Sequence, residues 1–111
     1  MEERYHALLQ KIWYCALTCE KCASACLAHT SEQQYETCIR LCLDCAEVCT
    51  LLARSVKRDS ALVPSLLALG EAIADCCAKE CDRHQDDHCQ QCAAACMLCR
   101  EACKQLQQEP N

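Results

Sequence analysis

From Cys15 to Cys26 the chain reads C-A-L-T-C-E-K-C-A-S-A-C, with thiols recurring at steps of four, three and four. Residues three and four apart are neighbours on a helix surface, so these steps set all four sulfurs on one face of an α-helix. The frame returns as C-I-R-L-C-L-D-C-A-E-V-C from Cys38 to Cys49 and as C-A-A-A-C-M-L-C-R-E-A-C from Cys92 to Cys103. A fourth copy reads Cys77, Cys81, His84, His88, with imidazoles in its last two places. The repeated frame therefore predicts helices that each carry a thiol seam.

Outward from these frames the same spacing continues in apolar residues. The first helix is expected from about Glu2 to about His29, its seam entered through Tyr5, Leu8 and Ile12 and left through His29. Thr30-Ser31 makes a tight connection, with Ser31 and Gln34 placed to form a capping box. The second helix runs from about Glu32 to about Lys57, its seam passing Tyr35, the Cys38–Cys49 frame, Leu52 and Val56. Arg58-Asp59-Ser60 breaks the pattern, and Pro64 suits the first turn of the third helix, where a missing N–H costs nothing. The inward positions expected there are Leu62, Leu66, Leu69 and Ile73, then Cys77 and Cys81. The polar run Arg83 to Asp87 makes the third connection. The fourth helix occupies roughly Asp86 to Gln107 on a seam of Cys89, Cys92, Cys96, Cys99, Cys103 and Leu106.

Short connections between long amphipathic helices make antiparallel neighbours the default. The fold expected is an all-α, up-down-up-down four-helix bundle with a Cys-lined core, one domain over residues 1–108, and a disordered tail at 109–111. Such a bundle gathers Tyr5, Leu8, Ile12, Leu52, Val56, Leu62, Leu66 and Leu106 into an apolar plug at one end. At the other end it gathers His29, Tyr35, His84, His88 and the outermost thiols Cys26, Cys38, Cys81 and Cys89 into a polar mouth.

Composition agrees. One Gly, two Pro and no Phe in 111 residues leave a chain dominated by helix formers. A net charge of −5 with no basic run argues against a nucleic-acid partner. No uninterrupted apolar stretch suggests a membrane span. Sixteen cysteines suit a secreted disulfide scaffold or an intracellular metal protein. The acidic start Met1-Glu2-Glu3-Arg4 lacks a basic n-region and a following apolar run, so a cytoplasmic, reduced chain is expected. Parallel Cβ vectors at i and i+4 also fit the torsion of an S–S bond poorly.

The plain alternative, that Cys fills the core as a small hydrophobe, suits one or two positions. Here all but Cys76 occupy a/d-type positions, where Leu or Ile would pack better by about 2 kcal/mol or more per site. Thiolate-only ligation selects Cu(I), Zn(II) or Fe–S clusters. Zinc and Fe–S sites want four ligands converging on one centre, usually from CxxC knuckles held by turns, and no such knuckle occurs. Cu(I) accepts two or three sulfurs and a thiolate can bridge two coppers, so a continuous seam can load about one Cu per Cys. The metal ligands expected are Cys15, Cys19, Cys22, Cys26, Cys38, Cys42, Cys45, Cys49, Cys76, Cys77, Cys81, Cys89, Cys92, Cys96, Cys99 and Cys103, with His84 and His88 as entry-site ligands. For Cys76 simple packing is an equal alternative, and His29 and Met97 are weaker candidates.

The CxxxCxxCxxxC frames, and above all E-C-D-R-H-Q-D-D-H-C-Q-Q-C-A-A-A-C from Glu80 to Cys96, resemble the bacterial cytosolic copper storage proteins. The resemblance spans essentially the whole chain. It implies a homotetramer of four-helix bundles, each holding multiple Cu(I) ions on inward cysteines; a copper chaperone is a possible further partner. The first half of the third helix lacks thiols, which points to a smaller capacity than in Cys-denser relatives. The CxxC pairs Cys19/Cys22, Cys42/Cys45, Cys89/Cys92 and Cys96/Cys99 lie within helices without a βαβ setting, so neither thioredoxin-type redox chemistry nor any catalysis is expected. Two other functions use the same residues: a Zn(II)/Cd(II) thiolate buffer of metallothionein type, and a purely structural bundle with reduced cysteines.

Overall fold

The computed structural model describes residues 2–29 and 32–109. Four helices account for nearly all of them: α1 (Glu2–Leu27), α2 (Glu32–Lys57), α3 (Val63–Asp82) and α4 (Asp87–Gln108). Each packs on its chain neighbour and α4 closes back on α1, giving a bundle 48 Å long and 20 by 19 Å across. The start of α2, the ends of α1 and α3 and the start of α4 share one end. This is the expected antiparallel arrangement.

Local chemistry sets the helix ends. α1 stops at Leu27, two residues short of His29, where Ala28 N–H and His29 N–H turn to the carbonyls of Ala25 and Cys26 and tighten the last turn. The proposed capping box falls on Ser31, which lies outside the described residues, as do Pro110 and Asn111 of the tail. α2 closes with Ser60 N–H on the Ser55 carbonyl at 2.9 Å and Asp59 N–H on the Val56 carbonyl at 3.2 Å, with Asp59 at φ 54°. That is a Schellman closure with Asp in the left-handed position usual for Gly, a conformation Asp tolerates better than most residues. Pro64 sits in the first turn of α3 as expected. Asp86 precedes α4 at its N-cap without a side-chain cap bond, because its carboxylate accepts the Tyr35 hydroxyl instead.

The plug forms from Leu8, Ile12, Leu52, Val56, Leu66 and Leu106, all buried. The register of the first half of α3 differs from the expected one. Leu62 and Leu69 are 62% and 47% exposed and Ile73 is half-buried, whereas Val63, Leu66, Leu67, Gly70 and Ala74 face inward. Stepping back from Cys81 and Cys77 by three and then four residues reaches Ala74 and Gly70, so α3 continues the thiol frame with small residues. The bulkier neighbours at 69 and 73 belong to the next stripe round the helix, and a reading weighted by apolar bulk follows them instead. The fourth Cys/His frame is likewise not one helical seam: α3 ends at Asp82, His84 lies in the connection, and His88 belongs to α4.

Candidate metal centre

Fifteen of the sixteen thiols point into the bundle axis and are buried. Cys76 is exposed on α3, so the structure does not bring this expected ligand to the seam; its neighbour Cys77 holds the inward position. Met97 is also exposed, at 45%.

The buried thiols form a ladder of overlapping groups, within each of which every sulfur lies within 4.8 Å of the others. At the mouth stand Cys22, Cys26, Cys38 and Cys89, followed by Cys22, Cys42, Cys81 and Cys92, then Cys19, Cys77, Cys92 and Cys96. Deeper come Cys15, Cys19, Cys45 and Cys96, and finally Cys15, Cys49 and Cys99. Cys22, Cys92, Cys19, Cys96 and Cys15 each belong to two groups, so the ladder is continuous. Contacts cross between helices in both directions: Cys38 to Cys81 and Cys19 to Cys96 at 3.6 Å, Cys42 to Cys92 at 3.7 Å, and Cys49 to Cys99 at 3.8 Å.

These spacings suit bridging by a soft ion. With a metal–sulfur bond of about 2.3 Å, two sulfurs on one trigonal centre lie about 4.0 Å apart and two on a linear centre about 4.6 Å apart. Trigonal sharing therefore needs almost no rearrangement, and linear sharing needs small side-chain shifts.

Electrostatics sharpen the case. Among the described residues the only buried polar side chain is Ser55, so no buried Lys or Arg offsets a thiolate. Burial pushes the Cys26 thiol up to about 11 and raises that of Cys89. Hydrogen bonds with Cys19 and Cys42 hold Cys77 lower, at about 6. Cys89 is in the first turn of α4, where a CxxC redox thiol would be acidified by the helix N-terminus; burial drives it the other way. Thiolates in this core are held by hydrogen bonds from neighbouring thiols, as at Cys77, and, among the described residues, not by buried cations. A monovalent ion replacing one proton per sulfur leaves the core close to neutral.

The mouth is closed by an aromatic row drawn from all four helix ends. His84 stacks on Tyr35 with ring centres 4.9 Å apart, and Tyr35 stacks on His29 at 4.5 Å. His29 Nε2 lies 3.2 Å from His88 Nε2. His88 turns its other nitrogen inward: Nδ1 is 3.5 Å from Cys89 Sγ, 3.6 Å from Cys22 Sγ and 3.9 Å from Cys26 Sγ. His84 instead directs Nε2 to Glu80 Oε2 at 3.0 Å. Asp86 anchors the row, accepting the Tyr35 hydroxyl at 2.9 Å and lying 3.4 Å from His29 Nε2. That bond pushes the Tyr35 hydroxyl up to about 12 and holds the Asp86 carboxyl below its usual range. Of the expected imidazoles, His88 reaches the thiols directly and His84 lies above them. The role of Asp86 was not read from the sequence, since an Asp before a helix reads as an N-cap. The Glu80/His84 pair was legible as an i, i+4 couple.

A family model described as copper storage protein matches residues 1–108. The cysteine-rich protein YhjQ of Bacillus subtilis is 34% identical over 106 residues, covering 96% of this chain and 98% of its own. A solved Cu(I)-bound structure of the copper storage protein BsCsp3 superposes with a TM-score of 0.89 at 33% identity, over 92% of this chain and 96% of its own. A cytosolic copper storage protein from Streptomyces lividans, solved with five coppers, gives 0.93 at 31% identity over 98% and 96%. The same Streptomyces protein loaded with ten copper equivalents gives 0.91 at 32% identity over 95% and 84%.

Proposed function

The chain belongs to the copper storage protein family, and on that premise we propose that its fifteen buried thiols hold Cu(I) as a continuous thiolate-bridged array. The observation that carries this reading is the run of overlapping sulfur groups, each with its members within 4.8 Å of one another, in a core with no buried cation among the described residues. The task is storage, which turns over no substrate, so the seam needs no catalytic group. A Zn(II)/Cd(II) buffer of metallothionein type finds no support, since the relatives of the same fold are described as carrying copper.

Copper enters at the mouth. His88 Nδ1 beside Cys22, Cys26 and Cys89 is the first ligand to pass an incoming ion to the thiols, and His84, stacked on Tyr35 and bonded to Glu80, completes the entry site and is where a chaperone would deliver the ion. At the far end the described residues form an apolar plug of Leu8, Ile12, Leu52, Val56, Leu66 and Leu106. Two further features belong to this reading: a cytosolic setting, as in the Streptomyces relative, and assembly into a homotetramer, which the exposed Trp13, Tyr14 and Leu17 on α1 support as a docking face. Among the described residues no helix is long and apolar enough to cross a membrane.

Anaerobic titration of the reduced protein with Cu(I), quantified against a chromogenic chelator, tests the store. A break near about one copper per seam thiol is expected; saturation at one or two ions would leave most of the sulfur as core filling. In the same experiment His88→Ala slows loading while leaving the final load within about one copper of wild type. Unchanged loading kinetics would remove His88 from the entry path.

A further inference from the structure

Three helices carry the complete 4-3-4 thiol frame, and α3 carries it as Gly70, Ala74, Cys77 and Cys81. A thiol, an imidazole or a larger apolar side chain would fit the pattern at position 70, yet the chain places its one glycine there. Gly in a helix interior is less favourable than Ala because of its backbone entropy. Its φ is negative, so no turn geometry requires it. What requires it is space: a Cβ built on Gly70 would lie 3.2 Å from Cys103 Sγ and 3.2 Å from Leu52 Cδ2, tighter than ordinary carbon–sulfur contact.

Cys103 is the last thiol of the α4 frame, buried beside Cys99 and directly under the plug. At this level α1, α2 and α4 supply Cys15, Cys49 and Cys99, Cys103 is hydrogen-bonded to Cys99, and α3 supplies Gly70 and Ala74 in place of sulfur. The innermost site therefore draws on three helices, and the space beside the fourth is filled by the Cys103 thiol leaning over Gly70.

We propose that Gly70 is a positioning residue for the innermost copper: the volume a Cβ would fill holds the Cys103 sulfur in the seam, where it completes a thiolate site with Cys99 and Cys49. This rests on the storage reading above. A methyl at position 70 forces Cys103 Sγ and Leu52 Cδ2 to give by a few tenths of an ångström without removing any thiol, so a substitution at a residue that is not a ligand weakens the site Cys103 completes.

The test compares wild type, Gly70→Ala, Cys103→Ser and the double variant, using anaerobic Cu(I) stoichiometry together with the alkylation rate of Cys103 by iodoacetamide in the copper-free protein, located by mass spectrometry. Each single variant is expected to bind about one copper fewer than wild type, and the double variant no fewer than Cys103→Ser alone. In Gly70→Ala, Cys103 labels several-fold faster, while the helical circular dichroism is retained, as expected for a Gly-to-Ala change in a helix. Gly70→Ala binding the full copper load with Cys103 labelling at the wild-type rate would overturn the proposal. Failure of wild type itself to load copper sinks the storage reading, and the labelling rates then still decide whether Gly70 positions Cys103.

Discussion

Lowering the pH is the perturbation whose effect follows most directly from this core. If every seam thiolate bridges two coppers and every copper two thiolates, each Cu(I) displaces one proton. Binding then weakens tenfold per copper for each unit fall in pH, about 1.4 kcal/mol, and the full load on fifteen thiols loses about 20 kcal/mol over the same unit. The direction follows from where the protons sit in the copper-free chain. Cys26, pushed up to about 11 by burial, stays protonated throughout the neutral range, so its contribution persists from acid up to about 11 and binding tightens as pH rises. Cys77, held at about 6 by hydrogen bonds from Cys19 and Cys42, and Cys38, Cys45, Cys92 and Cys99, held low by neighbouring thiols, are the members that add less to the dependence in the neutral range. The average slope of log K against pH between 6.5 and 8.5 should therefore lie above zero and below one per copper. The assay is chelator competition at several pH values, corrected for proton binding by the chelator. Unbridged two-thiolate sites would instead give a slope near two and half the capacity. A slope of zero would refute thiolate ligation, and a slope of two would refute the bridged array.

Two further outcomes test the fold that presents the array. Ile12→Ala, at a fully buried plug position, should destabilise the copper-free protein by about 3 kcal/mol and lower Tm by roughly 15 °C; a loss under about 1 kcal/mol would mean that the plug is not where packing stability resides. Ala74→Cys restores a thiol to the α3 frame at a buried position and should raise copper capacity by about one, at a cost of about 1–3 kcal/mol in the copper-free protein from overpacking. An unchanged capacity, with the new thiol reduced, would show that the frame does not pass through position 74.

The thiol faces, the helix count, the Pro64 start of α3 and the limits of α2 were all legible in the chain, because helical periodicity is a local property: a side chain's face is fixed by neighbours three and four residues away. The same locality misled at two places. In α3 the bulk of Leu62, Leu69 and Ile73 outweighed the small Gly70 and Ala74, although only the latter continue the step set by Cys77 and Cys81. Across the connection of residues 83–86, unbroken spacing joined His84 and His88 to a helix that ends at Asp82.

The sequence by itself determined that four helices would each turn a sulfur-bearing or apolar stripe toward a common axis. Only the tertiary structure decided which sulfurs meet. Cys19 lies 77 residues from Cys96 and yet 3.6 Å from it, and His29 lies 59 residues from His88 and yet 3.2 Å from it. Those pairings depend on the axial stagger and rotation of one helix against another. Both are set by the summed fit of every side chain along the interface, Gly70 and Ala74 included, and no local window of the chain contains that sum.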